Sequence, residues 1–184
     1  EILKRAKIKT SMITSVHAVI AGRSYDTGFH VTTPTAWEVQ KYLRDAVNHK
    51  DTHVVLEVTS HALGQSRVLG IPFRVGVITN VTHEHLDWHG TFENYLATKL
   101  SLLKRSAISV VNRDEADLYA AAIPIIKNKR YVTYGILRGS MVNPRSHPFK
   151  TMLPGEFNRY NMLAAIATAE VLGVKPVIWK RAVS

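Results

Sequence analysis

The sequence predicts an α/β fold, a mostly parallel sheet with helices on both faces, and three observations carry that expectation. Short apolar runs at 54–58, 74–80 and 108–112 alternate with helical patterns. The runs are apolar almost throughout, which is how strands buried beneath helices read. Polar clusters stand directly behind the first two runs, at the carboxyl edge where an open α/β sheet binds its ligands.

The elements follow in order. Residues 1–8 have helical character without an N-cap and 11–16 read as a strand, so the chain is expected to enter in the middle of a β-loop-α unit. Residues 19–31, with Gly22 and Gly28, read as a loop or hairpin. Thr33-Pro34 is a helix start, with Thr33 as N-cap and Pro34 as the first helical residue. Ala36, Val39, Leu43, Ala46 and Val47 then form an apolar stripe up to His49. A buried strand at 53–58 delivers Glu57, and 60–65 is a short helical turn. The strand at 74–80 delivers Asn80 and a loop holding His83, Glu84, His85, Asp87 and His89. A helix over 91–104 carries Lys99.

A strand follows at 108–112, Asp114 is expected to cap a helix over 115–123, and 130–133 is a further short strand. Residues 138–150 are a Gly/Ser/Pro/Asn-rich break, within which N-P-R-S at 143–146 reads as a turn. G-E-F-N-R-Y-N at 155–161 opens an Ala-rich helix that runs to Leu172 and ends at Gly173.

Composition narrows the function classes. The 184 residues suit one well-packed domain, and 46% hydrophobic with 21% charged residues is globular material. No run reaches the roughly 18–20 apolar residues needed to span a bilayer, so no membrane segment is expected. The absence of cysteine excludes disulfides and thiolate metal sites and fits a cytoplasmic protein. The formal charge of +10 is scattered over helix ends and turns, without the aromatic-studded basic stripe of single-strand binders. A small polyanion is therefore the expected use of the charge, and nucleic acid is not.

Three spaced blocks carry a resemblance. They are E-V-T-S-H-A-L-G-Q-S-R at 57–67, T-N-V-T-H-E-H-L-D-W-H-G at 79–90 and E-N-Y-L-A-T-K at 93–99. Together they resemble the central, P-loop NTPase-like domain of the Mur ligases. The T-T-P at 32–34, the S-H-A-L-x-Q-x-R at 60–67 and the H-G-T-x-E-x-Y-x-x-x-K spacing at 89–99 point to the MurE branch, which adds the third amino acid to UDP-N-acetylmuramoyl-L-alanyl-D-glutamate. The resemblance covers nearly the whole chain, so residues 1–184 are expected to form one central domain.

The resemblance implies ATP-dependent amide formation through an acyl phosphate, with Mg²⁺ against the phosphates. It implies Glu57, His85 and Lys99 as catalytic and metal-holding residues. A carboxylate at a strand end suits Mg²⁺, whereas histidine is an atypical ligand for so hard a cation. Lys99 is expected to be carbamylated by CO₂, which converts a cation into an anion and requires the neutral amine. On residue type alone, Glu57 reads equally as a capping carboxylate, His85 as a solvated loop histidine and Lys99 as a surface lysine.

By the same resemblance, Thr32, Thr33, Thr59, Gln65 and Arg67 contact the UDP-muramoyl peptide, the planar fork of Arg67 being suited to phosphate or carboxylate. Thr59 stands where the family usually has Ser. Asn80 and the asparagines of F-N-R-Y-N, Asn158 and Asn161, are expected on the nucleotide, although Asn158 would equally serve as a helix cap. The expected partners are the UDP-N-acetylmuramoyl dipeptide, ATP and an amino acid, and the expected state is a monomer.

Departures from the family pattern accompany the matches. The phosphate-binding G-T-N-G-K-T loop is absent from the sequence, as are the N-terminal UDP-binding and C-terminal domains. Val31 replaces a usual Asn, His83-Glu84 replaces a usual Arg-Asp, and the stretch between Tyr134 and Gly155 is short for the family. The 184 residues alone are therefore expected not to form the amide bond, because they lack the means to hold three reactants in register. Alternatives are another ligase of the superfamily, of the folylpolyglutamate synthase or cyanophycin synthetase type, and a non-catalytic substrate-binding module. S-H-A-L-G-Q-S-R at 60–67 argues against the former pair, and binding of the UDP-muramoyl peptide discriminates.

Overall fold

The structure is a computed structural model that describes all residues except 15–16, 27–32, 82–85, 138, 152 and 184. Its internal contacts group into two units, residues 3–71 with Glu1, and residues 72–184 with Ile2. One helical turn, α1 (Ile2–Arg5), precedes the first strand.

The first unit contains β1 (Thr10–Ile13), β2 (His17–Ile20), β3 (Arg23–Asp26), α2 (Ala36–Asn48), β4 (His53–Leu56) and α3 (Ser60–Gly64). The sheet order is β3-β2-β1-β4. β1 and β4 are parallel, with Ile13 opposite Leu56, while β2 and β3 form an antiparallel hairpin on the other side of β1. Ile13, Ala18, Ile20 and Ala46 make the core of this unit, with Tyr42, Val54 and Leu56 packed against them. The hairpin that the glycines predicted is therefore present, with its turn at Ala21-Gly22.

The start of α2 differs from the expectation. Thr35, not Thr33, is the N-cap: its hydroxyl accepts from the Glu38 N–H, and the Glu38 carboxylate accepts from the Thr35 N–H at 2.9 Å. This reciprocal pair satisfies two otherwise orphaned donors, which a Thr33 cap three residues before an alanine lacks the side chain to do. The Thr35 hydroxyl also donates to the Glu38 carboxylate at 2.7 Å, and this bond first, then the one from the Thr35 N–H, lowers the Glu38 pKa.

The second unit contains β5 (Phe73–Ile78), α4 (Leu86–His89), α5 (Phe92–Lys104), β6 (Ser106–Asn112), α6 (Ala116–Ile126), β7 (Arg130–Tyr134), α7 (Glu156–Val171) and α8 (Pro176–Val183). β5, β6 and β7 are parallel in that order. Central β6 is buried at every position from Ile108 to Asn112, so both of its faces are covered. α5 and α6 meet Val111 through Leu100, Leu103, Leu118, Ala122 and Ile126, and α7 packs along β5, β6 and β7. Helix α8 begins with Pro176 at its first position and buries Trp179 and Val183.

Asp114 is not the cap it was expected to be. α6 starts one residue later than predicted, behind Glu115, which makes no side-chain cap bond, and the Asp114 carboxylate is engaged elsewhere. The turn expected at N-P-R-S is present: the Asn143 side-chain oxygen accepts from the N–H groups of Arg145 and Ser146.

Candidate functional site

In the first unit the strand ends bring distant pieces of sequence together. β4 stops at Leu56, and the Glu57 N–H makes one further bond, 2.9 Å to Ile13 O, which continues the parallel ladder and leaves the Glu57 side chain exposed just past the carboxyl edge. Thr33 is fully buried beside it. Its hydroxyl lies 3.2 Å from Glu57 O and 3.4 Å from the Thr59 hydroxyl, and it accepts from the Thr59 N–H at 3.2 Å. Thr59 caps α3 by accepting from the Ala62 N–H. Arg67 donates to Thr33 O at 2.6 Å through Nη1 and to the Gln65 side-chain oxygen at 2.8 Å through Nε.

Thr33, Glu57, Thr59, Gln65 and Arg67 are thus linked by one chain of hydrogen bonds. Sequence spacing does not show that the Thr33 hydroxyl faces inward: it spans two backbone segments 24 and 26 residues away. The guanidinium retains donors beyond those used on Thr33 and Gln65, so Arg67 is the member best equipped to meet an anion.

In the second unit the end of β5 is tied down by its neighbours. Asn112 Nδ2 donates to Thr79 O at 3.3 Å, and the Tyr134 hydroxyl lies 3.2 Å from both Ile78 O and Thr79 O. Burial first, then nearby acidic groups, push the Tyr134 phenol upward, so it remains a donor. These anchors hold Asn80, whose side-chain oxygen accepts from the Thr79 hydroxyl. Lys99 reaches back from α5 to this strand end: Nζ donates to Asn80 O at 3.0 Å and lies 5.0 Å from the centroid of the Tyr95 ring. The half-buried lysine is therefore engaged with the strand end. Asn112 and Tyr134 are supports of the β5 end that sequence reasoning missed, and only their position at the ends of strands hinted at them.

The F-N-R-Y-N motif lies in the opening turns of α7. Gly155 is the N-cap with φ of 89°, and a Cβ there would lie 2.6 Å from the Phe157 ring, so the turn needs glycine. Asn158 donates through Nδ2 to Pro154 O at 2.6 Å, a bond back into the entering turn and not an N-cap. Asn161 is exposed one turn further on.

Thr32 and His85 lie outside the described residues. Among the described residues, no group of three or more His, Asp or Glu side chains could hold a metal ion. The exposed Glu57 carboxylate is by itself an oxygen donor of the kind a hard divalent cation takes, one carboxylate beside substrate phosphates.

The Mur ligase middle-domain model matches residues 2–169. The chain belongs to the Mur ligase family. Among curated relatives, a UDP-N-acetylmuramoyl-L-alanyl-D-glutamate–2,6-diaminopimelate ligase of Clostridium botulinum is 32% identical over 191 residues, covering 94% of this chain and 39% of the relative. The ligase of the same name from Synechocystis is 38% identical over 173 residues, with 79% of this chain and 33% of the relative covered. This Mur ligase chain thus spans between a third and two fifths of those relatives' length. A solved structure described as UDP-N-acetylmuramoyl-L-alanyl-D-glutamate–2,6-diaminopimelate ligase superposes with a TM-score of 0.84 over 99% of this chain and 41% of the other, at 23% identity. That likeness establishes the Mur ligase central fold. No helix of the described residues is long and apolar enough to cross a membrane.

Proposed function

We propose that this Mur ligase chain is the ATP-binding central domain of a cytoplasmic ligase. The ligase adds the third amino acid to UDP-N-acetylmuramoyl-L-alanyl-D-glutamate in peptidoglycan synthesis. The observation that carries the reading is the hydrogen-bonded cluster of Thr33, Glu57, Thr59, Gln65 and Arg67, because it unites two of the pieces that point to the MurE branch, T-T-P and S-H-A-L-G-Q-S-R. The names of the relatives at 32% and 38% identity support it.

The chemistry is a phosphoryl transfer followed by an acyl transfer. A free carboxylate of the muramoyl dipeptide attacks the γ-phosphorus of ATP, and the bond to the bridging oxygen breaks, giving acyl phosphate and ADP. The amine of the incoming amino acid attacks the acyl carbon, phosphate leaves and the amine loses a proton. Much of the barrier reduction comes from positioning and charge stabilisation, since two polyanions must meet. Mg²⁺, where bound, neutralises charge developing on the phosphate oxygens, and Glu57 with His85 are its proposed protein ligands.

Thr32, Thr59, Gln65 and Arg67 are assigned to the UDP-muramoyl peptide. Thr33 serves the same substrate by holding Arg67 through its carbonyl oxygen. Asn80, Asn158 and Asn161 are assigned to the nucleotide. Lys99 is assigned as a carbamate: CO₂ adds to its neutral amine, a proton leaves, and the resulting anion is available to metal. The decisive experiment uses the full-length ligase: ADP release should require both the UDP-muramoyl dipeptide and an amino acid. Release with folate or cyanophycin substrates instead, or binding without release, would select the alternatives.

A further inference from the structure

Asp114 stands where three segments of the second unit meet, and the function proposed above leaves it unused. Its Oδ2 accepts from the N–H groups of Ile136 at 2.7 Å and Leu137 at 3.0 Å, and from the Tyr160 hydroxyl at 3.0 Å. The neighbouring Arg113 grips the same turn from its other side, donating its N–H to Tyr134 O at 2.9 Å and its guanidinium to Gly139 O. A Cβ at Gly135 would lie 2.6 Å from Asp114 Oδ1, so glycine is what lets the carboxylate come this close to the backbone. The approach to the turn is thus built, and it explains why Asp114 is not available to cap α6.

Tyr160 joins this turn to the nucleotide motif. It is the fourth residue of F-N-R-Y-N and lies in the opening turns of α7, between Asn158 and Asn161. Burial, then the hydrogen bond to Asp114, push its phenol up to about 12, so the hydroxyl keeps its proton and donates. Asn158 is held from the other direction by Pro154 O. The start of α7 is therefore fastened at both points, and the Tyr160 bond ties it to the segment that follows β6.

We infer that Asp114 and Tyr160 are a positioning pair, which sets the first turns of α7 against the strand ends and so holds Asn158 and Asn161 in place for the nucleotide base. The inference rests on the nucleotide role proposed for those asparagines. Neither member of the pair is assigned contact with reacting atoms.

The test measures steady-state kinetics of the full-length ligase carrying Tyr160→Phe, Asp114→Asn, Asp114→Ala or Asn161→Ala. Tyr160→Phe removes one hydrogen bond and little volume, and should raise the KM for ATP about fivefold. Its kcat and its KM for the UDP-muramoyl dipeptide should stay unchanged. Asp114→Ala should raise the ATP KM at least as much, and Asp114→Asn should recover most of the loss because an amide oxygen still accepts. The double variant Asp114→Ala/Tyr160→Phe should be no worse than Asp114→Ala alone, since both remove one shared link. An unchanged ATP KM in Tyr160→Phe and Asp114→Ala, with Asn161→Ala raising it, overturns the inference and leaves the proposed function standing. So does a parallel loss in every kinetic constant of Tyr160→Phe with a lowered unfolding midpoint, which marks a general structural role. An unchanged ATP KM in Asn161→Ala defeats the nucleotide reading itself, and the inference with it.

Discussion

Replacing Thr33 by valine isolates the bond network behind Glu57. Valine has nearly the shape of threonine and lacks the hydroxyl, so the fully buried site keeps its volume and loses its polar atom. Two backbone groups lose a partner: Glu57 O, at 3.2 Å, and the Thr59 N–H, also at 3.2 Å. Glu57 is exposed, so water can replace its lost donor, whereas Thr59 is half-buried and more of its desolvation cost stays. One orphaned and one rehydrated group should together cost about 1–2 kcal/mol. Thr33→Ser keeps the hydroxyl and should cost less than about 1 kcal/mol, chiefly the missing methyl. Urea unfolding of the three proteins measures the difference, and unchanged slopes confirm that only stability moved. In the full-length ligase the KM for the UDP-muramoyl dipeptide should rise with the valine variant, because Arg67 is held by the Thr33 carbonyl. Equal stability of wild-type and valine proteins, with an unaltered dipeptide KM, would refute the reasoning and return Thr33 to an ordinary loop residue.

Further outcomes follow from other sites. Glu57→Ala in the full-length ligase should lower kcat about 10²-fold or more by removing charge stabilisation at the phosphates, and near-normal turnover at saturating Mg²⁺ defeats that assignment. Lys99→Ala should impair turnover, with short carboxylates partly restoring it, and undiminished mutant activity without rescue returns Lys99 to a structural role at Asn80 and Tyr95. Asp51 has a lowered pKa, first through the Ser11 hydroxyl 2.5 Å away and then through His49. Its stabilisation is present above the unfolded carboxylate value near 3.8 and is lost as pH falls through the lower folded value. Asp51→Asn should therefore flatten the acid limb of a stability–pH curve, and an unchanged limb contradicts the sign. Leu103→Ala, at a fully buried position between α5 and α6, should destabilise by about 2–5 kcal/mol in thermal or urea unfolding.

What the sequence by itself determined is the alternation of elements and the family. Strands β4, β5 and β6 were legible as apolar runs, but the expected burial on both faces holds only for Ile108–Asn112 of β6. No position of β4 is buried and Val55 is exposed, because β4 ends its sheet, with β1 as its one strand neighbour among the described residues. Helices α2, α5 and α7 were legible from apolar spacing, and the three motif blocks identified the Mur ligase relationship, since they concern residue types in order and need no distance. Two local signals were present and unused: Thr35 three residues before Glu38 is the capping-box spacing that displaced Thr33, and Pro176 is the helix-start signal of α8. The tertiary structure alone decided the partners of Thr33, Asp114, Asn112, Tyr134 and Lys99. Each bonds to a group between 19 and 56 residues away, reached only when the strands stand side by side. The physical reason is that a short polar side chain at a strand end has both local and long-range donors or acceptors within reach. Asp114 was expected to cap the next helix because sequence shows only local choices. The fold offers it two turn N–H groups and a tyrosine hydroxyl at once, and three bonds to one carboxylate outweigh one.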